Sequence, residues 1–409
     1  MRRPHYAWAV CLGGSLPLFA IMGLGVNIFT VYQPYIIRLN NFTNAQGSLI
    51  TTVRSLFVVA AMLTVNQICA RFGLRKVMTF AMELMGLSCL CFGLAKSFFS
   101  YCVAAALTGI AYGYGGMVPL SLLIRHWFRD RRSFALGLAA TGSGVSTIFA
   151  PSIITQIIET KGMPAAFFAE GILIAVLGIL VWVLVRNTPA DMGLTAYHLG
   201  REDAPTPAPR LRPEKMTQSL WYALFFAAFL IGAPAGPGFS HLTVLYTSCG
   251  YDSMAVASFT SFLGVTLCVG KLVCGQVYDT LGSRLGNLYI FGIFLAGFAL
   301  CCTAPLGGSI LPFAAMTLFG LGLPISNIPF AVWAGDLLGD EGYESAVRSL
   351  TVAYALGMLL SGPIAGILAD QFDSYVPAYI LFAAILVCSM LIVQHIYRKV
   401  NVGHRLQKS

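Results

Sequence analysis

The sequence predicts an all-α membrane protein whose twelve transmembrane helices form two related six-helix halves. Three observations lead there. The 409 residues are 57% hydrophobic and only 10% charged, against roughly 25% charged residues in soluble domains. Apolar stretches long enough to cross a bilayer, about 20 residues each, recur along the whole chain. Short clusters between them hold most of the charge.

The stretches fall at about residues 7–35, 47–69, 76–95, 100–125, 133–158, 165–186, 219–247, 254–277, 285–304, 309–338, 346–369 and 375–397. Met1-Arg2-Arg3-Pro4-His5 precedes the first as the basic region of a secretory signal would. That run is too long and lacks a small-residue cleavage site, so helix 1 is expected to stay uncleaved. The polar segment after helix 6 carries Pro205, Pro207, Pro209 and Pro213 and no hydrophobic periodicity, which reads as a linker. The expected organisation is a six-helix bundle at 1–186, a cytoplasmic linker at 187–218 and a second bundle at 219–409.

Charge placement orients the chain. Of the 25 basic residues, Arg38, Lys96 and Lys161 fall on one side, Arg54 and Lys271 fall inside helices, and the remaining twenty fall on the other side. The positive-inside rule then puts both termini in the cytoplasm of a multi-pass cell-membrane protein. This distribution also accounts for the net charge of +9 without a nucleic-acid partner. The eleven cysteines lie almost wholly in apolar stretches, and Cys89-x-Cys91 and Cys301-Cys302 lack zinc or redox spacing, so neither metal nor cofactor is expected. Six scattered histidines offer no His-Glu-x-x-His or other catalytic constellation. An enzyme is not expected.

Ionisable groups at membrane depth are expensive and usually face protein or a water-filled cavity. Arg54 and Lys271 are therefore the first substrate-binding candidates. Arg54 would supply an anion contact or pair with Glu170 or Glu83. Other titratable candidates are Glu83, Glu170, Asp336 and His241. The last titrates near physiological pH and is placed to face a central cavity. Tyr112, Tyr114, Tyr246, Asn327 and Trp333 are candidate lining residues. Gly109, Gly113, Gly115 and Gly116 in helix 4, and Gly137, Gly142 and Gly144 in helix 5, allow close helix approach. Pro234, Gly236, Pro237 and Gly238 predict a kink or unwound turn in helix 7.

An internal repeat supports the two halves. Arg71-Phe72-Gly73-Leu74-Arg75 follows helix 2, and Gly275-x-x-x-Asp279-x-x-Gly282-x-Arg284 follows helix 8, about half a chain later. Duplicated halves around a shared cavity are a recurring transporter plan. At these loops the chain resembles the major facilitator superfamily, whose signature runs Gly-x-x-x-Asp-Arg-x-Gly-x-Arg. The first copy departs from it at Asn66 and Ala70. Trp127-Phe128-Arg129-Asp130-Arg131-Arg132, Gly357 to Gly362-Pro363, Gly366 to Asp370, and Ser374-Tyr375 are similar to the branch of oxalate:formate antiporters and monocarboxylate transporters.

That resemblance implies alternating access and transport of a small organic anion, a mono- or dicarboxylate, by proton symport or anion exchange, with the single chain as a monomeric unit. It assigns carboxylate binding to the basic residue at Lys271. It makes Arg71, Gly73, Arg75, Asp279, Gly282, Arg284 and Arg131 gating residues, Asp279 locking near the start of helix 5. Asn27 stands where proton-linked relatives have lysine and Leu267 where they have aspartate. Helix 11 lacks the lysine of oxalate antiporters. Efflux of an amphipathic or cationic compound is the alternative, favoured if Glu83 or Asp336 faced the cavity.

Overall fold

At membrane depth no water is available to the backbone, so each spanning segment must close its own hydrogen bonds. The computed structural model describes residues 5–128, 132–198, 213 and 216–400. Among these, helices account for nearly everything, and the extended backbone amounts to one isolated bridge between Phe128 and Tyr197. Eleven helices are long and apolar enough to cross a membrane, and a bent pair supplies the twelfth.

Numbered in chain order, they are α1 Ala7–Leu39, α2 Asn44–Phe72, α3 Leu74–Leu94, α4 Phe98–Trp127, α5 Ala135–Lys161 and α6 Met163–Leu184. The second set is α7 Gln218–Ser240, α8 Ser253–Tyr278, α9 Thr280–Cys301, α10 Ile310–Ser326 with Ile328–Gly339, α11 Ser345–Phe372 and α12 Val376–Val400. Exposed apolar side chains such as Ile172, Ile179 and Leu391 clothe the faces that meet lipid. The chain divides into two compact units, Met1–Phe42 with Val53–Pro205, and Thr43–Thr52 with Thr206–Ser409. Of the expected linker, residues 199–212, 214 and 215 lie outside the described residues.

Among the described residues, α4 is interrupted at extended Gly116, and α1, α7 and α10 also depart from the continuous rods that hydropathy predicts. In α1, residues Leu18–Asn27 wind as a π-helix. The wider turn carries Gly23 against Ser146 of α5 so closely that a Cβ would overlap the serine hydroxyl. The proline and glycine cluster does break α7. Its helix stops at Ala235, resumes over Pro237–Ser240, and restarts at Leu242 after non-helical Gly236 and His241. In α10, expected to be unbroken, a 3-10 turn at Leu323–Ser326 precedes non-helical Asn327, and the two parts meet at 41°. Pro324 lies within that turn, where the missing amide proton weakens the helical ladder.

Small residues set the closest packing in the first unit. A Cβ at Gly109 would collide with the carbonyl oxygen of Arg54, and one at Gly113 with the Ala61 side chain. The two glycines lie four residues apart on one face of α4 and let α2 approach at backbone contact. Gly113→Leu is expected to destabilise the fold by about 1–3 kcal/mol through overpacking. A thermal unfolding scan of the detergent-solubilised variant checks this as a lowered midpoint.

Candidate functional site

In the first unit, α2 projects Arg54 inward, and the side chain is 8% exposed. Its guanidinium carbon sits 5.4 Å from the centre of the Phe29 ring of α1, a cation–π distance. Tyr112 of α4 lies close enough to feel its charge. Nη1 of Arg54 is buried and finds no hydrogen-bond partner among the described residues. Glu170 instead accepts a hydrogen bond from Tyr32 Oη at 2.7 Å, so the expected pairing of Arg54 with that carboxylate is not formed. Glu83 lies against Gly178 of α6. A guanidinium carries five donors in a planar fork that matches a carboxylate. One of those nitrogens is here unclaimed.

Asn27 closes the π-helical stretch of α1, and its Nδ2 donates to Thr147 Oγ1 of α5 at 3.1 Å. Its amide is thus partly committed to holding α1 on α5. Tyr114 bonds Thr64 at 2.9 Å and so ties α4 to α2.

In the second unit, Lys271 is half-buried on α8, with Cys268 one turn earlier as an electrostatic neighbour. A Cβ at the adjacent Gly270 would lie 2.8 Å from the Gly320 carbonyl oxygen. Beside Lys271, α8 and α10 therefore touch backbone to backbone. Asn327 is exposed at the break of α10, and its Nδ2 donates to Ser326 Oγ at 2.8 Å. Trp333 and Tyr246 are buried. The indole of Trp333 donates to Asn287 Oδ1 at 2.8 Å, beside a second bond from Tyr278 at 2.7 Å.

His241, expected to face a cavity, is instead fully buried. Its Nε2 lies 2.7 Å from Ser48 Oγ and its Nδ1 2.9 Å from the Pro237 carbonyl oxygen, and the ring stacks on Tyr375 at 5.7 Å. That carbonyl also accepts the His241 backbone N–H at 3.0 Å, so residue 241 meets it through both main chain and ring. Nearby, Asp370 accepts from the backbone N–H groups of Asn44 and Ala45 at 3.0 and 2.9 Å, and from Asn44 Nδ2 at 2.9 Å. It caps the positive end of α2. Tyr375 Oη donates to Asn44 Oδ1 at 2.9 Å. Burial, helped by the Asp370 carboxylate, pushes the Tyr375 phenol up and keeps it a donor.

The motif residues make the following contacts, each within its own unit. Gly73 has φ 83° and Gly282 has φ 77°. Both lie in the left-handed region that suits glycine, at the turns that open α3 and α9. Arg75 stacks on Trp182 of α6, with the guanidinium carbon 3.9 Å from the ring centre, and its Nε donates to the Trp182 carbonyl at 2.8 Å. Its amide donates to Asn187 Oδ1 at 2.9 Å. Arg71 lies over the Phe72 ring at 5.4 Å, and the Arg284 carbonyl accepts from Gln394 Nε2 at 3.1 Å. Ser283 and Tyr397 both donate to the Asp336 carboxylate, which ties α10 to α9 and α12. Arg131 and the Asp279 side chain lie outside the described residues.

Two compact units of mostly apolar helices, opened at α3 and α9 by the same glycine turn, match a model of known sequence families. The Major Facilitator Superfamily model aligns with residues 16–347. The chain belongs to that superfamily. It is a multi-pass membrane transporter. Monocarboxylate transporter 12 of Xenopus laevis is 26% identical over 315 residues, covering 71% of this chain and 67% of that one. The aspyridones efflux protein of Emericella nidulans is 24% identical over 387 residues, 93% of this chain and 75% of that one. Among solved structures, a nucleoside transporter NupG variant superposes with a TM-score of 0.75 at 11% identity, covering 96% of this chain and all of that one. A bacterial homologue of the lysosomal transporter Spinster superposes with a TM-score of 0.68 at 14% identity, covering 97% of each chain. At those identities the structures establish the major facilitator fold.

Proposed function

We propose that this superfamily member moves a small organic anion, a mono- or dicarboxylate, by alternating access, with Arg54 and Lys271 as its cationic contacts. The observation that carries this reading is Arg54. It is a buried guanidinium in a membrane span, with an aromatic ring beneath it and one nitrogen that takes no acceptor among the described residues. Such a group is costly to keep in a bilayer unless it works on a substrate or pathway. The likeness to a monocarboxylate transporter supports the same substrate class. We place the chain in the cell membrane with both termini cytoplasmic, following the basic loops, and working as a monomer by proton symport or anion exchange.

The efflux relative spans more of the chain and supports the second reading, export of an amphipathic or cationic compound. Of the two acidic groups that reading would use, Asp336 is engaged, accepting from Ser283 and Tyr397.

The test is ligand stabilisation. A compound that binds only the folded state at a hundredfold excess over its Kd adds about 2.7 kcal/mol. Mono- and dicarboxylates are expected to raise the unfolding temperature of the purified protein and amphipathic cations to leave it unchanged, with the carboxylate shift lost in Lys271→Ala. The reverse pattern would establish the efflux reading.

A further inference from the structure

Within the first unit, α1, α3, α4 and α6 enclose a cavity that the anion-contact assignment does not use. Its walls include Tyr32, Cys89, Thr108, Phe167 and Glu170, and it is too small for an organic solute. Glu170 of α6 is 4% exposed. Its carboxyl accepts the 2.7 Å hydrogen bond from Tyr32 and has no ion pair among the described residues. Around it the Tyr32 and Phe167 rings stack at 3.8 Å, and Phe92 stacks on Phe167 at 5.3 Å. Phe29 lines the same cavity, and its ring is the one beneath the Arg54 guanidinium.

We propose that Glu170 is the proton-binding group of this transporter, with Tyr32 as its positioning partner; this rests on the organic-anion reading above. An intramembrane carboxyl with a single named partner is a functional group before it is a structural one. The cavity suits a proton because it admits little else. The step forms one bond, between a proton drawn from water on one side and a Glu170 carboxylate oxygen, and breaks that bond on release at the other side. Tyr32 can donate to the carboxylate and accept from the protonated acid, because a phenol does both.

Phe29 supplies the coupling element, since it touches both the Arg54 charge and the cavity. The titratable or charged groups facing Glu170 are Tyr32 on α1, Cys89 on α3 and, through Phe29, Arg54 on α2. Tyr112 on α4 faces Arg54. The acidic and basic residues of α5, Glu159 and Lys161, lie at its far end, where Glu159 accepts from Tyr35 at 3.4 Å.

Two measurements test the assignment. The first needs no substrate. Infrared difference spectra of the intact protein, recorded through a pH titration, report carboxyl protonation. A carboxylic C=O band should grow on acidification, vanish in Glu170→Gln and shift in frequency in Tyr32→Phe. A band unchanged in both variants overturns the proposal. The second uses proteoliposomes. Uptake of a labelled monocarboxylate driven by an acid-outside gradient, divided by counterflow without one, should exceed unity in wild type and fall to unity in Glu170→Gln. A ratio that stays at the wild-type value also overturns the assignment. If wild type shows no carboxylate counterflow, the organic-anion reading fails, and the infrared band still decides the proton site.

Discussion

Arg54→Ala is expected to weaken carboxylate transport roughly tenfold to 150-fold at low substrate while leaving the fold as stable as wild type or more so. The two halves of that expectation have one cause. A charge-assisted hydrogen bond contributes about 1.5–3 kcal/mol, which converts to roughly a tenfold to 150-fold weakening of substrate affinity at about 1.4 kcal/mol per decade. The arginine meanwhile makes little structural return for its burial. Phe29 backs the guanidinium, Tyr112 lies near it, and Nη1 has no partner among the described residues. Removing it relieves a desolvated charge. Arg54→Lys should retain transport with a raised KM, because the charge stays and the fork is lost. KM and unfolding midpoints measured on the three proteins check this. A large stability loss in Arg54→Ala would mark the residue as structural.

The second large effect is expected at Asp370. Its carboxylate accepts three hydrogen bonds at the start of α2, two from backbone amides and one from Asn44. Replacing such a cap by alanine costs about 0.5–2 kcal/mol, and the lost interaction with the helix dipole adds about 0.3–1 kcal/mol. Asp370→Ala should therefore loosen the first turn of α2. Tyr375 would keep its hold on Asn44, and His241 its hold on Ser48. Hydrogen exchange of the 44–48 amides checks this as faster exchange confined to that turn, whereas unchanged exchange would show that the cap contributes nothing.

The helices were legible because lipid enforces a simple code. About 20 apolar residues make a span, and the intervening basic clusters separate one span from the next. The glycines at 73 and 282 were legible as a repeat, and their positive φ values give the repeat a backbone reason. The break in α7 was also legible, since Pro234, Gly236, Pro237 and Gly238 crowd together. The break in α10 was not, because Pro324 stands where hydropathy shows no interruption.

The polar partnerships were harder still. His241 with Ser48, Asp370 with Asn44, Arg75 with Trp182 and Tyr32 with Glu170 join residues separated by 193, 326, 107 and 138 positions. Periodicity carries no information about such pairs. Arg54, Glu170 and His241 stood out as expensive groups at membrane depth, but the sequence could not say which were already paired. The structure pairs Glu170 with Tyr32 and His241 with Ser48, and leaves a nitrogen of Arg54 without a partner among the described residues.

Proteoliposome uptake of a labelled panel of mono- and dicarboxylates, with wild type and Arg54→Ala side by side, tests the central claim most directly. Entry of at least one carboxylate through wild type, at least about tenfold faster than through Arg54→Ala at low substrate, is the expected result. Absence of carboxylate uptake, or equal uptake by Arg54→Ala, would contradict it.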